Sequence, residues 1–211
     1  MPSSVHSFIY LASQSPRRKE LLKQIGVRFE MLAPLPDEDS ENIETPLPHE
    51  KALTYVERVT LAKSAAALAR WQKSGLALAP ILCADTTVSL PNSGHGEILG
   101  KPIDAGDAAR ILNMLSGKVH EVLTAVAITP NPNEKPLYLV QLSKVQFAQL
   151  SHMQINDYIA SGEPFGKAGA YGIQGLGGAF IPSIEGSYSG IMGLPIFETT
   201  QLLDRAQVIR I

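Results

Sequence analysis

The chain has 211 residues, of which 45% are hydrophobic and 18% charged, and its formal net charge is -2 at pH 7. This length and composition predict a globular protein with a sizeable core, and the charge balance excludes a global basic field that would attract nucleic acid. Any anion-binding site must therefore be built locally. The single cysteine, Cys83, excludes an internal disulfide and a cysteine-based zinc framework.

No apolar stretch of the sequence is long enough to span a bilayer. The first residues also lack the charged and apolar regions of a signal peptide. We therefore expect a cytoplasmic protein that has neither a membrane nor a nucleic acid as its partner.

The first predicted elements are a strand and a helix, at about residues 8–12 and 16–25. Ser15 is suited to cap this helix, and Pro16 to its first position. Arg17 and Arg18 follow, where the partial positive charge of a helix N-terminus makes cations mildly unfavourable. A bound phosphate would resolve the conflict, because helix starts and arginine forks both bind phosphate oxygens. The alternative is an ordinary capped surface helix with solvated arginines.

The rest of the chain predicts a mixture of helices and strands. Further strands are expected near residues 29–32, 79–90, 120–130 and 137–150. Further helices are expected at 50–71, from Asp104 to near Gly117, from Ser151 as N-cap to Gly162 as C-cap, and at 195–203. Turn residues predict an acidic loop or lid at 34–50, a hairpin connection at 91–102, and short strands with a turn at 179–194. The order predicts a single α/β domain over residues 1–211 with a mixed sheet.

Asp85 directly follows the almost wholly apolar residues 80–84 and precedes two threonines. A carboxylate at the end of a buried strand costs free energy unless it is paired or binds a metal. It is therefore either a metal ligand or general base, or a salt-bridged residue that closes the strand. Cys83, close before it, is expected to be a small core residue.

Three further charged residues each have a functional and a structural interpretation. Lys101 lies between glycine and proline in ILGKP, which suits an ammonium aimed at a phosphate or a solvated turn lysine. Lys63 lies on an alanine-rich helix, where a surface lysine is the ordinary alternative. Glu38, in the acidic loop, either reaches a metal or is solvated.

The glycine-rich segment GKAGAYGIQGLGG covers residues 166–178. So many glycines imply backbone conformations that need them, or the close approach of a ligand. Gln174 carries donors and an acceptor, so it is suited to read a base edge, or it lies on the surface of a tight hairpin. The overlapping GEPFGKA resembles a P-loop but has one residue too few between its glycines, and Ala168 replaces the Ser or Thr that binds magnesium.

Six segments taken together resemble one family, the Maf-like nucleoside triphosphate pyrophosphatases. They are LASQSPRRKELL, ADTTV, ILGKP, LSGKVHEVLTAVAI, GKAGAYGIQGLGG and GSYSGIMGLP, and they occur in the family's order from about residue 9 to 200. The resemblance is nearest to the branch that acts on dTTP and UTP, which carries SPRR, a lysine before proline, and GIQG. It implies a Maf/ITPase-like α/β fold: a mixed, elongated sheet flanked by helices, in two lobes with a cleft between them.

The resemblance also implies an activity and a set of site residues. The activity is hydrolysis of dTTP and UTP, with modified pyrimidine nucleotides as further candidates, to the monophosphate and pyrophosphate. It would need Mg²⁺ or Mn²⁺, would clean nucleotide pools, and is associated with a homodimer. Matched by position, the catalytic residues are Asp85, Lys101, Lys63 and Arg18. The substrate-binding and specificity residues are Arg17, Thr86, Gln174, Ser13 and Ser15, and the metal ligands are Asp85 and Glu38.

The chain departs from the family pattern at two places. Gly166 stands where an acidic residue usually precedes KAGAYG, which removes a charge near the substrate. The hairpin connection PNSGHGE is longer than usual, which we expect to change a surface loop rather than the chemistry.

Two other classes of function remain open. One is a nucleotide-binding regulator of cell division with little turnover, which would not need to keep Asp85, Lys63 and Lys101. The other is a nucleic-acid-binding protein that uses Arg17, Arg18 and Lys19. The acidic balance and the lack of an aromatic stacking platform oppose this alternative.

Overall fold

The computed structural model describes residues 5–34, 43–91 and 97–210, and in these ranges seven strands form one sheet. The strands are β1 (Ile9–Leu11), β2 (Phe29–Met31), β3 (Ile81–Leu90), β4 (Glu97–Leu99), β5 (Val119–Thr129), β6 (Leu137–Gln146) and β7 (Ser183–Glu185). Their order is β2-β1-β3-β5-β6-β7, and β4 pairs with β3. β1 runs parallel to β2 and β3, whereas the other pairs are antiparallel. The predicted mixed α/β fold is confirmed.

Six α-helices flank this sheet in the described ranges. They are α1 (Pro16–Gln24), α2 (Ala52–Ser74), α3 (Ala105–Leu115), α4 (His152–Ala160), α5 (Tyr188–Met192) and α6 (Ile196–Arg205). The predicted N-caps are confirmed, since the side chains of Ser15, Asp104 and Ser151 each accept a backbone N–H of the first helical turn. The C-cap of α4 is Ser161, one residue before the predicted C-cap Gly162, which takes the left-handed conformation directly after it.

The prediction for residues 179–194 is wrong in part. One short strand, β7, forms there, but the residues after it form α5 rather than a second strand. Ser187 caps this helix by accepting the N–H of Gly190. Five residues are too few to show a helical period, so the sequence pattern does not reveal this helix.

The edge of β3 is open at its centre. β1 pairs with β3 only at Ile81 and Leu82, and β4 pairs with it only at Val88–Leu90. In the part of the chain that the structure describes, no strand pairs with this edge at residues 83–87. Asp85 therefore lies at a gap in the sheet, where a ligand can approach the strand.

One face of β3 joins two separate apolar cores. Leu82 packs in a core with α1 and α6, whereas Val88 packs in a second core with α3 and α4. Between them the Thr86 hydroxyl is hydrogen bonded to the Thr124 hydroxyl on β5, at 2.9 Å. The two cores define two lobes, and the polar threonine pair lies where they meet.

The long helix α2 covers the opposite face of the sheet. Val56 and Val59 pack against Leu123 and Ala125 of β5. Lys63 follows Val59 by four residues, and residues four apart share a helix face. This packing therefore brings Lys63 towards β3, the neighbour of β5 in the sheet. α2 thus carries a lysine to the open edge of β3.

The prediction that Cys83 is a core residue is confirmed, and His120 is a core residue as well. Cys83 is fully buried, and burial raises the pKa of its thiol to about 12. His120 is also fully buried near the start of β5, where its Nε2 is 2.9 Å from the Tyr171 hydroxyl. Burial lowers the pKa of His120 to about 3, so this imidazole is neutral at physiological pH.

Candidate active site

A cleft of about 590 Å³ lies between the two lobes, at the open edge of β3. Every predicted site residue that the structure describes lines this cleft: Ser13, Ser15, Arg17, Arg18, Lys63, Asp85, Thr86, Lys101 and Gln174. Glu38, the second predicted metal ligand, lies outside the described residues. Residues that are as much as 161 positions apart in the sequence thus meet in one cavity.

A chain of alternating charges crosses the cleft. Lys63 Nζ lies 2.6 Å from Asp85 Oδ1 and 2.7 Å from Glu44 Oε1. Lys101 Nζ lies 2.7 Å from the other carboxylate oxygen, Glu44 Oε2. Asp85 is buried, so its pairing with Lys63 offsets the cost of placing a carboxylate there. Both lysines are thus partners of carboxylates in the cleft, Lys63 with a largely buried side chain and Lys101 with an exposed one.

Glu44 is a site residue that the sequence reasoning missed. Partial burial by itself would raise the pKa of its carboxyl, but the ammonium groups of Lys63 and Lys101 lower this pKa to about 2. Glu44 is therefore ionised throughout the physiological range. In the sequence, Glu44 is marked only by its place in the acidic loop at 34–50. Glu38 was chosen from this loop as the metal ligand because its position matches the family pattern.

The paired arginines of α1 face the end of α5. Arg17 Nε donates to the carbonyl oxygen of Met192 at 2.9 Å, and Arg18 Nε donates to that of Gly193 at 2.8 Å. Carbonyl groups at a helix C-terminus carry partial negative charge, which stabilises the two cations. The alternative of freely solvated arginines is therefore wrong.

Arg18 also links the start of α1 to the floor of the cleft. Its Nη1 donates to Ser13 Oγ at 3.0 Å, and its Nη2 donates to Thr86 Oγ1 at 3.4 Å. Burial lowers the pKa of this guanidinium, whereas the negative charge of Asp85 raises it. An always-charged arginine is thus held in a rigid position beside the acidic group on β3.

The glycine-rich segment forms a further wall of the cleft. Gln174 is exposed to the cleft beside Gly172, and Lys167 also lines this wall. Burial and the positive charge of Arg17 both lower the pKa of the Lys167 ammonium. Gly166 has φ +73°, a left-handed turn that an acidic side chain would strain. Lys167 was missed because the interpretation of GKAGAYGIQGLGG rested on its glycines and on Gln174.

Among the described residues, no three or more His, Cys, Asp or Glu side chains are grouped as a complete metal site. Glu44 and Asp85 are the carboxylates that meet in the cleft, and a single ammonium bridges them. Within the same ranges, no helix combines the length and apolar character that crossing a bilayer requires.

Comparison with known proteins identifies the family. A profile of the Maf-like proteins matches residues 8–206. A dTTP/UTP pyrophosphatase of Burkholderia lata is 54% identical over 207 residues, covering 98% of this chain and 97% of the relative. A protein of the same name from Ralstonia nicotianae is 55% identical, covering 96% of this chain and 96% of the relative. Another from Albidiferax ferrireducens is also 55% identical, covering 93% of this chain and 95% of the relative. The chain belongs to the Maf-like family, as its six segments predict.

A solved structure was also similar. The Ham1 protein of Staphylococcus aureus matches with a TM-score of 0.46 and 16% sequence identity, covering 67% of this chain and 72% of that protein.

Proposed function

We propose that this protein is a nucleoside triphosphate pyrophosphatase that hydrolyses dTTP and UTP to the monophosphate and pyrophosphate. The observation that carries the proposal is the charge chain of Asp85, Lys63, Glu44 and Lys101, which lines the same cleft as the arginine pair. The relatives named dTTP/UTP pyrophosphatase support this substrate class, since they are aligned over nearly the whole chain.

The triphosphate would lie between the two groups of cations. Arg17 and Arg18 approach it from the start of α1, and Lys63 and Lys101 approach it from the other side. Cations placed in a partly buried cleft neutralise phosphate charge more strongly than they would in water. These residues therefore both bind the substrate and stabilise the charge that develops on the leaving pyrophosphate.

Asp85 would orient the water that attacks the α-phosphorus. A new bond forms between the water oxygen and that phosphorus, and the bond to the bridging oxygen of pyrophosphate breaks. Asp85 accepts a proton from the water, and the leaving pyrophosphate keeps the bonding electron pair. Lys63 holds Asp85 Oδ1, so Oδ2 is the oxygen proposed to meet the water.

The donor set fits a Mg²⁺ or Mn²⁺ ion shared with the substrate. Two carboxylates, Glu44 and Asp85, already meet around one cation, the Lys63 ammonium. Magnesium is commonly held by one or two carboxylates together with substrate phosphates and waters, so a complete protein cage is not required. When bound, the ion would neutralise phosphate oxygens and assist ionisation of the attacking water.

Gln174 and Thr86 are proposed to select the pyrimidine base. An amide carries both a donor and an acceptor, which complements the O4 and N3–H groups of uracil and thymine. Further parts of the proposal are a role in cleaning nucleotide pools, with modified pyrimidine nucleotides as further substrates, and action in the cytoplasm, where nucleoside triphosphates are made and used. A single domain that forms a homodimer also stays a prediction.

The test is pyrophosphate release from a panel of nucleoside triphosphates with Mg²⁺ or Mn²⁺. Release from dTTP and UTP by the wild type, lost in Asp85→Asn and weakened or broadened in Gln174→Ala, is the expected result. Release from purine nucleotides alone would support the proposed hydrolysis at the α-phosphorus but would overturn the proposed selection of pyrimidine bases. Tight dTTP binding by folded protein without any release would instead support the nucleotide-binding regulator.

A further inference from the structure

The carboxylate of Glu163 is hydrogen bonded to the backbone of the glycine-rich loop. Its Oε2 accepts the backbone N–H of Leu176 at 2.8 Å, and its Oε1 accepts that of Gly177 at 3.0 Å. Burial by itself would raise the pKa of this carboxyl, but these two N–H donors help to lower it below the usual value. An ionised carboxylate is therefore built into the loop that carries Gln174.

Tyr158 on α4 completes the arrangement. Its hydroxyl donates to Glu163 Oε1 at 2.8 Å and accepts the backbone N–H of Gly172 at 3.2 Å. Tyr158 is buried, so its ring fixes the position of this hydroxyl in the second core. The two side chains thus bind the backbone on both sides of Gln174, at Gly172 and at 176–177.

The fit between these side chains and the loop is close. A Cβ added to Gly175 would lie 2.3 Å from Glu163 Oε2, and one added to Gly177 would lie 2.7 Å from the Tyr158 hydroxyl. The loop can approach the carboxylate and the phenol only because glycine occupies both positions. This explains two of the glycines in GIQGLGG without any contact to a ligand.

We propose that Glu163 and Tyr158 are positioning residues for base selection: they hold the loop at residues 172–177 so that the Gln174 amide meets the base edge of the nucleotide. The inference rests on the proposed function and adds a specificity role for two residues that lie behind the loop. They act through Gln174, since their side-chain oxygens are hydrogen bonded to loop backbone and to each other.

The pair lies on elements other than those that carry the charge chain. The charge chain of Asp85, Lys63, Glu44 and Lys101 is built on α2, β3 and the loops beside them. Glu163 and Tyr158 instead belong to α4 and the turn after it. Weakening them should therefore alter how the base is held before it alters how the phosphates are held.

Glu163→Gln is the most informative substitution. Glutamine keeps the size of the side chain, but its amide has one oxygen acceptor where the carboxylate has two, and its NH₂ group would face a backbone donor. Tyr158→Phe removes the hydroxyl that accepts the N–H of Gly172 and donates to Glu163. Matched controls are Asp157→Asn, which removes an exposed charge from the same helix, and Tyr138→Phe on β6.

The first measurement compares kcat and KM for pyrophosphate release from dTTP and dCTP. We expect Glu163→Gln and Tyr158→Phe to raise KM for dTTP by about tenfold, with little change in kcat, because loss of one buried hydrogen bond has about this effect. The preference for dTTP over dCTP should fall by a similar factor. Both controls should keep the wild-type preference.

The second measurement is the binding of dTMP and dCMP, which reports base selection without turnover. It distinguishes the two proposals, because a wild type that prefers dTMP but releases no pyrophosphate would contradict the proposed function alone. Loss of that preference in both variants supports the positioning role. A preference unchanged in the variants, an equal loss for both bases with a lower melting temperature, or no preference in the wild type would overturn it.

Discussion

The Lys63 ammonium lies 2.6 Å from Asp85 Oδ1 and joins α2 to β3 at the open edge of the sheet. The pair is largely buried, with 21% of the lysine side chain and 10% of the aspartate side chain exposed. Removing the cation from a buried carboxylate strongly destabilises the folded state. We therefore expect this contact to contribute to the stability of the fold as well as to the proposed reaction. Because the same ammonium reaches Glu44, one lysine orders both carboxylates of the cleft.

Replacing Lys63 with methionine should therefore affect turnover and stability together. We expect kcat for dTTP to fall by about a hundredfold or more, which is typical for loss of one fixed electrostatic contact in a catalytic site. The melting temperature should also fall, because Asp85 is left without its cation. Lys73→Met removes an exposed lysine from the same helix and should leave both quantities near wild type. Turnover of Lys63→Met within a few-fold of wild type would contradict the assignment.

Glu44 should make a measurable contribution to acid sensitivity. Its pKa is about 2 in the folded protein against a reference value of 4.5, so the folded chain binds fewer protons than the unfolded chain between these values. This contribution to stability is present above about pH 4.5 and is lost as the pH falls towards 2. Urea unfolding at several pH values should show a shallower acid loss in Glu44→Gln. Parallel curves for the two proteins would rule out this carboxylate as the cause.

Arg18→Lys should not be a conservative change. The guanidinium makes three hydrogen bonds at once, to Gly193 O, Ser13 Oγ and Thr86 Oγ1. An ammonium cannot reproduce this planar fork, so we expect kcat/KM for dTTP to fall by about tenfold or more. Arg28→Lys, an exposed arginine outside the cleft, is the matched control. Steady-state kinetics that fail to separate these two variants would contradict the role given to Arg18.

His120 should weaken the fold as the pH falls, although it lies in the core rather than among the proposed catalytic groups. Burial lowers its pKa from 6.5 to about 3, so the unfolded chain binds one more proton between these values. Stability is therefore lost progressively below about pH 6.5. His120→Phe should reduce that slope even if it lowers stability at neutral pH by removing the partner of Tyr171. His152→Gln, an exposed histidine, should leave the slope unchanged, and an equal slope in all three proteins would refute the prediction.

Many local elements of the fold could be predicted because their causes are local. The start of α1 depends on Ser15 and Pro16, and the starts of α3 and α4 depend on the capping side chains of Asp104 and Ser151. Each of these contacts lies within one helical turn. The apolar run before Asp85 likewise predicts a buried strand, which β3 confirms. The short helix α5 escaped prediction because its sequence is shorter than the period that would reveal it.

The sequence by itself determined which residue types were available for the site, and the six family segments pointed to a cleft. Only the tertiary structure decided how they are partnered. Arg17 donates to the carbonyl oxygen of Met192, which is 175 residues away in the sequence. Lys101 donates to Glu44, at a separation of 57 residues. No spacing rule covers such distances, because they depend on how two lobes pack around a shared strand. Glu44, Lys167 and Glu163 emerged for the same reason: their roles come from neighbours that the fold brings to them.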